Sequence, residues 1–181
     1  MSIDHTANRL GALALIVTDR MSAAAAGAAR LSLNDAVALS ALHQFLDHPT
    51  VDLLRQVLGL TSSGTVRLVD RLVDAGYARR TGGGGDGRET RVELTAAGRR
   101  AAARVASARG DMLDDALAPL SAAERRTFDE LASRLLIGLM REPGATRWMC
   151  RLCDTHACGR DRDRCPVANE ARRRFAVSAS G

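Results

Sequence analysis

A chain of 181 residues is long enough for one domain, or for one domain with an appended element. Hydrophobic residues make up 46% but aromatics only 3%, so the core is aliphatic, and the alanine runs "SAAAAGAA" and "AAARVASA" favour helix because alanine loses no side-chain entropy there. The net charge of +5, carried with 26 basic residues that are all arginine, and a pI near 9.8 fit a polyanionic partner such as nucleic acid or a generally basic surface. No segment approaches ~18 apolar residues without charge and "MSIDHTANRL" is no secretory signal, so the expectation is a cytoplasmic protein without a membrane partner.

Leu10, Leu13, Ile16, Val17 and Met21 recur at helical spacing and predict one long helix over about 5–29. Val37, Leu39, Leu42, Phe45 and Leu46 predict a second helix after "LSLND", ended by His48-Pro49. A short helix follows in "TVDLLRQVLGL", with Thr50 as its cap and Gly59 as its stop. In "LTSSGTVRLVDRLVDAGY", Thr61 or Ser62 caps a helix that ends at Gly76. Val66, Leu68, Val69, Leu72 and Val73 share its apolar arc, with Thr65 partly buried beside them. Ser63, Arg67, Asp70, Arg71 and Asp74 share the polar arc. Two helices joined by the tight "GLTSS" connection make a helix-turn-helix.

Residues 77–80 and 90–94 predict two short strands around a glycine-rich tip. The run Gly82 to Gly85 is not a phosphate loop: no Gly-Lys-Ser/Thr follows, and it joins strand to strand. After "LTAAG" an alanine-rich helix runs to about Ala118 and breaks at Pro119. Ser121 with Glu124 forms a capping-box pattern for another helix. That helix carries Phe128, Leu131, Leu135, Leu136 and Leu139 and ends at Glu142-Pro143-Gly144. A cysteine segment and a short helical tail, "VANEARRRFA", complete the chain.

The stretches "LGLTSSGTVRLVDRLVDAGYARR" and "GDGRETRVELTAAGR" resemble the MarR family of winged-helix transcription regulators, and the similarity covers roughly residues 5 to 141. The resemblance implies a mainly α fold: a winged helix-turn-helix with long N- and C-terminal dimerisation helices and a small two-stranded wing. It divides the chain into an N-terminal dimerisation helix (1–32), a DNA-binding region (33–98), C-terminal dimerisation helices (99–142) and a cysteine-rich tail (143–181). It implies a homodimer, double-stranded DNA as partner, and a small, often phenolic effector bound between the dimerisation helices and the winged helix. His43 and His48 lie in that region, with no partner group evident. The sequence departs from the family pattern in its four consecutive glycines and its cysteine tail.

A helix that enters the major groove reaches base edges with its N-terminal residues. These are Ser62, Ser63, Gly64 and Arg67, with Arg67 suited to pair bidentately with guanine. Arg71, a turn further on, suits a phosphate. The competing reading pairs Arg67 and Arg71 with Asp70 and Asp74 on a solvated face. In the wing, Arg88 is the candidate for the minor groove, oriented by Asp86, while Arg79, Arg80 and Arg91 suit phosphates. A two-fold dimer predicts a pseudo-palindromic operator with half-sites about one helical turn apart, occupied by a repressor.

The four cysteines, Cys150, Cys153, Cys158 and Cys165, follow Cys-x2-Cys-x4-Cys-x6-Cys, with His156 as a spare ligand. The first three have zinc-knuckle spacing, with cysteine where that motif has histidine. In a reducing compartment such clustering reads as metal binding, with zinc expected. The alternatives are an iron–sulfur cluster or a thiol redox sensor that controls DNA binding. No nucleophile–base constellation is present, so the chain is not expected to be an enzyme.

Overall fold

The computed structural model describes residues 4–82 and 90–175. Nine α-helices and two strands follow one another among these residues: α1 (His5–Ala29), α2 (Leu33–Gln44), α3 (Val51–Leu58), α4 (Ser62–Asp74), β1 (Ala78–Gly82), β2 (Thr90–Leu94), α5 (Ala96–Leu117), α6 (Ala122–Leu139), α7 (Ala145–Met149), α8 (Thr155–Cys158) and α9 (Pro166–Phe175). The fold is the expected one, mainly helical with a small two-stranded sheet.

Helix starts follow side-chain chemistry. Asp4, Ser32, Thr50, Thr61, Thr95 and Ser121 each accept a hydrogen bond from a first-turn backbone N–H. Ser121 and Glu124 complete the capping box. Gly59 ends α3 in the left-handed conformation at φ 65°, which glycine adopts without steric cost.

Helix α2 is the hub. Ala36, Ala38, Leu39 and Ala41 are fully buried, and apolar residues on all its sides meet α1, α3, α4, α5 and β2. Leu54 of α3, Leu68, Val69 and Leu72 of α4, Val92 of β2 and Ala101 of α5 close the same core. The strands pair antiparallel, with Arg79 opposite Glu93 and Arg80 opposite Val92. Val92 N–H also donates to Pro49 O at 3.0 Å, which fastens the wing to the start of α3.

Two expectations change. Thr65 is fully buried rather than partly so, because its hydroxyl donates to Thr61 O at 3.0 Å and needs no water. Val66 leaves the apolar arc: it is 45% exposed, with no element among the described residues covering it. The cysteine segment, for which the sequence predicts no element, folds as α7, α8 and a 3-10 turn at Arg160–Arg162. Helix α1 is long and apolar enough to cross a membrane by length and composition, with mean hydropathy 1.3 over its richest window, but Asp19 and Arg20 interrupt its apolar run.

Helices α1 and α6 leave apolar side chains uncovered. Leu10, Leu13, Leu15 and Ile16 are exposed on α1, and Phe128, Leu131, Leu135, Leu136 and Leu139 on α6. No residue of α6 is buried.

Candidate nucleic-acid interface

The turn between α3 and α4 is built by Gly59 and Thr61. Thr61 Oγ1 accepts from Gly64 N at 3.1 Å, and its carbonyl takes the Thr65 hydroxyl. Ser62 and Ser63 are thereby held exposed on the first turn of α4. A Cβ at Gly64 would stand 3.0 Å from Thr61 Oγ1, so this glycine has an intramolecular reason as well as a possible role in close backbone approach.

Arg67 is exposed one turn along, and its guanidinium has no hydrogen-bond or ion-pair partner among the described residues. Its neighbour Val66 is exposed beside it, an outward apolar group that the wheel assigned to the core. The outward face of α4 therefore presents two hydroxyls, one aliphatic group and one unpaired cation.

The other arginines are engaged. Arg71 does not pair with Asp70 or Asp74. Its Nη2 lies 2.6 Å from Asp35 Oδ1 and its Nε 3.4 Å from Oδ2, and this carboxylate holds the guanidinium's pKa above its ordinary value. Asp70 instead takes Arg80 Nη2 at 2.6 Å. Arg79 donates to Glu93 Oε2 from Nη2 at 2.7 Å and from Nε at 2.9 Å. The Arg79 hydrogen bond, helped by the charge of His48, keeps the Glu93 carboxyl below the usual range. Arg91 Nη1 donates to His48 O at 2.9 Å. Arg88 and Asp86 lie outside the described residues. Of the arginines assigned to DNA in the described part of the chain, Arg67 stands out as uncommitted. Arg71, Arg79 and Arg80 must share themselves with carboxylates or exchange partners to meet phosphate.

Behind the wing lies a cavity of about 510 Å³ between the end of α2, β2 and the start of α5. His43, His48, Arg79 and Arg99 line it together with Leu42 and Leu46. His43 and His48 thus share one concavity with two cations, which sequence alone did not place.

The four cysteines lie in the segment from α7 to the start of α9, which is tied to the end of α2 by the Thr155–Gln44 hydrogen bonds. Cys150 caps α7, Cys153 N–H donates to Cys150 O at 2.9 Å, and Cys158 Sγ donates to Thr155 O at 3.5 Å. Cys165 packs on Cys158. Cys150 and Cys165 are buried, and all four thiols are free. The Cys150 thiol donates to Cys153, which pulls Cys153 down to about 6 with help from Arg109 and Arg160. The same hydrogen bond and burial push Cys150 far up. Burial raises Cys158. Among the described residues, no three Cys, His, Asp or Glu side chains already stand in a metal-ligating arrangement. His156 is exposed on α8.

Comparison with known proteins agrees with the architecture. The MarR family model matches residues 31–89, the segment from the start of α2 into the wing. A probable transcriptional regulator from Pseudomonas aeruginosa is 26% identical, with a TM-score of 0.58 over 72% of this chain and 99% of that one. The apo form of MarR from E. coli is 22% identical, with a TM-score of 0.60 over 75% of this chain and 99% of its own. The Streptomyces coelicolor regulator PcaV, solved with its natural ligand, is 24% identical, with a TM-score of 0.57 over 75% and 96%. No curated protein matches the sequence. Residues 31–89 are thus similar to the MarR family model, and the fold around them is like that of solved MarR-family regulators.

Proposed function

We propose that this MarR-family winged-helix chain is a sequence-specific DNA-binding transcriptional regulator, acting as a homodimeric repressor on a pseudo-palindromic operator. The observation that carries the reading is the outward face of α4, where exposed Ser62, Ser63, Val66 and unpaired Arg67 stand on the helix that a helix-turn-helix inserts into the major groove. Arg67 reads guanine, Val66 meets a thymine methyl, and the serines hold phosphate or base edges.

The dimer reading rests on α1 and α6. An isolated 18-residue helix with no buried residue is marginal in water, and the apolar side chains of α6 at 128, 131, 135 and 139 form a stripe that calls for a partner. A second copy of the chain, offering its own α1 and α6, covers it. The same burial accounts for the apolar length of α1 without a bilayer. Each subunit then offers one α4, and two-fold symmetry gives the operator its dyad. A dimer seated across adjacent major grooves blocks their use by polymerase.

The cavity behind the wing suits a small effector. Arg79 and Arg99 line it opposite Asp47 and Glu93, Leu42 and Leu46 supply apolar wall, and β2, which positions the wing, forms one side. Filling it shifts the wing relative to α4.

The test is retention of the chain's own upstream DNA in an electrophoretic assay over a range of salt. Binding should weaken steeply with salt and favour one dyad-symmetric site. Absence of retardation at low salt overturns the reading.

A further inference from the structure

The tail beyond α6 is tied to the helix-turn-helix at several points. Trp148 of α7 packs on the turn: a Cβ at Gly59 would lie 3.4 Å from its Nε1. Thr155 N and Oγ1 both donate to Gln44 Oε1 at the end of α2, at 3.2 and 2.9 Å. Arg160 lies over the Phe45 ring, 5.9 Å from its centroid. Leu152 joins the main core. Each contact is small, and the segment that makes them has few apolar side chains of its own. Something else must hold α7, α8 and α9 in one arrangement.

Two buried nitrogens point to what does. Arg109 Nε and Arg160 Nη1 are buried and have no hydrogen-bond acceptor among the described residues. Both arginines act on the thiols: Arg160 on Cys150 and Cys153, Arg109 on Cys153. A buried donor without an acceptor is costly and signals a missing group.

We propose that Cys150, Cys153, Cys158 and Cys165 close on one zinc ion as four thiolates, and that this ion clamps the C-terminal segment onto the helix-turn-helix. The four thiolates release their protons on binding, and zinc offsets two of their charges. The remaining two negative charges are matched by Arg109 and Arg160, which gives each buried guanidinium its acceptor. The cysteines stand in two pairs: Cys153 N–H donates to Cys150 O at 2.9 Å, and Cys158 packs on Cys165. A tetrahedral zinc–sulfur distance of about 2.3 Å puts neighbouring sulfurs about 3.8 Å apart, so the two pairs must close on each other to share one ion. An iron–sulfur cluster interposes irons and sulfides and spreads its thiolates further. Gly159, at φ 65° and with a Cβ position only 2.9 Å from Arg164 Cβ, turns the chain tightly enough to bring Cys165 back to Cys158.

The test uses the full chain purified under reducing conditions and assayed for zinc, iron and acid-labile sulfide. Trp148, the single tryptophan of the sequence, reports docking on Gly59 through its fluorescence. About one zinc per chain is expected. Chelation should shift Trp148 emission to the red, and added zinc should restore it. Cys153→Ser should lose most of the zinc. If that variant does not fold, chelation and reloading of the unmodified chain carry the test. Iron with sulfide overturns the zinc site, as does a metal-free protein with four reactive thiols or disulfides. Bound zinc whose removal leaves Trp148 emission unchanged overturns the clamp.

Discussion

Arg71 on α4 grips Asp35 near the start of α2, with 2.6 Å between Nη2 and Oδ1. Asp35 is buried at 5% exposure and among the described residues otherwise receives the Ser32 hydroxyl, at 2.7 Å. The two partners are unequal, because Arg71 is half exposed and can turn to water while Asp35 cannot. Arg71→Ala should therefore destabilise by about 1–3 kcal/mol, through a stranded carboxylate. Adding Asp35→Asn to Arg71→Ala should recover part of that loss in urea unfolding. A double variant no more stable than Arg71→Ala would remove Asp35 as the source.

This pair shows where sequence reading stops. The two residues stand 36 positions apart, and nothing in the helical period of α4 points to α2. The wheel ranks Arg71 on the polar arc and predicts neighbours on its own helix. For Val66 it errs in the other direction: the wheel reports that the side chain is apolar but not that no element covers it. The caps at Thr50, Thr61 and Ser121 were legible because they depend on bonds within one turn. The short helices α7 and α8 were not, since four or five residues cannot show a period. The cysteine spacing was legible, but its attachment to Gly59 and Gln44 was not.

Gly98 offers a packing test. A Cβ there would lie 1.9 Å from Tyr77 O, a backbone atom that also accepts from Thr95 N. Gly98→Ala should cost about 1–3 kcal/mol or more, by pushing α5 off the wing. Gly110 in the same helix has open space around it, so Gly110→Ala should gain about 0.5–1 kcal/mol. Thermal unfolding of the two variants should move in opposite directions.

The uncovered stripe on α6 predicts assembly. Leu135→Asp should convert a dimer to a monomer in sedimentation analysis while leaving the helical signal of α2 to α5 intact, because Leu135 is 52% exposed and touches none of their core. Unchanged mass would point to another surface.

Acid should loosen α9. The Arg173 hydrogen bond first, and the Arg174 hydrogen bond second, hold Glu170 down to about 2. A carboxylate depressed on folding stabilises the fold above its ordinary value of 4.5, and that contribution is lost as pH falls towards about 2. Glu170→Gln should therefore be less stable than the unmodified chain near neutral pH, and the two should converge on acidification. Curves that stay parallel would contradict this account.

Selection of operator DNA from a random duplex pool tests the central claim most directly. The unmodified chain should enrich a dyad-symmetric site with half-sites about one helical turn apart. Arg67→Ala should lose about 1–3 kcal/mol on that site and stop discriminating one base pair in each half-site. A chain that enriches no sequence, or an Arg67→Ala variant that selects the same site with unchanged affinity, would contradict the assignment of α4 as the base-reading helix.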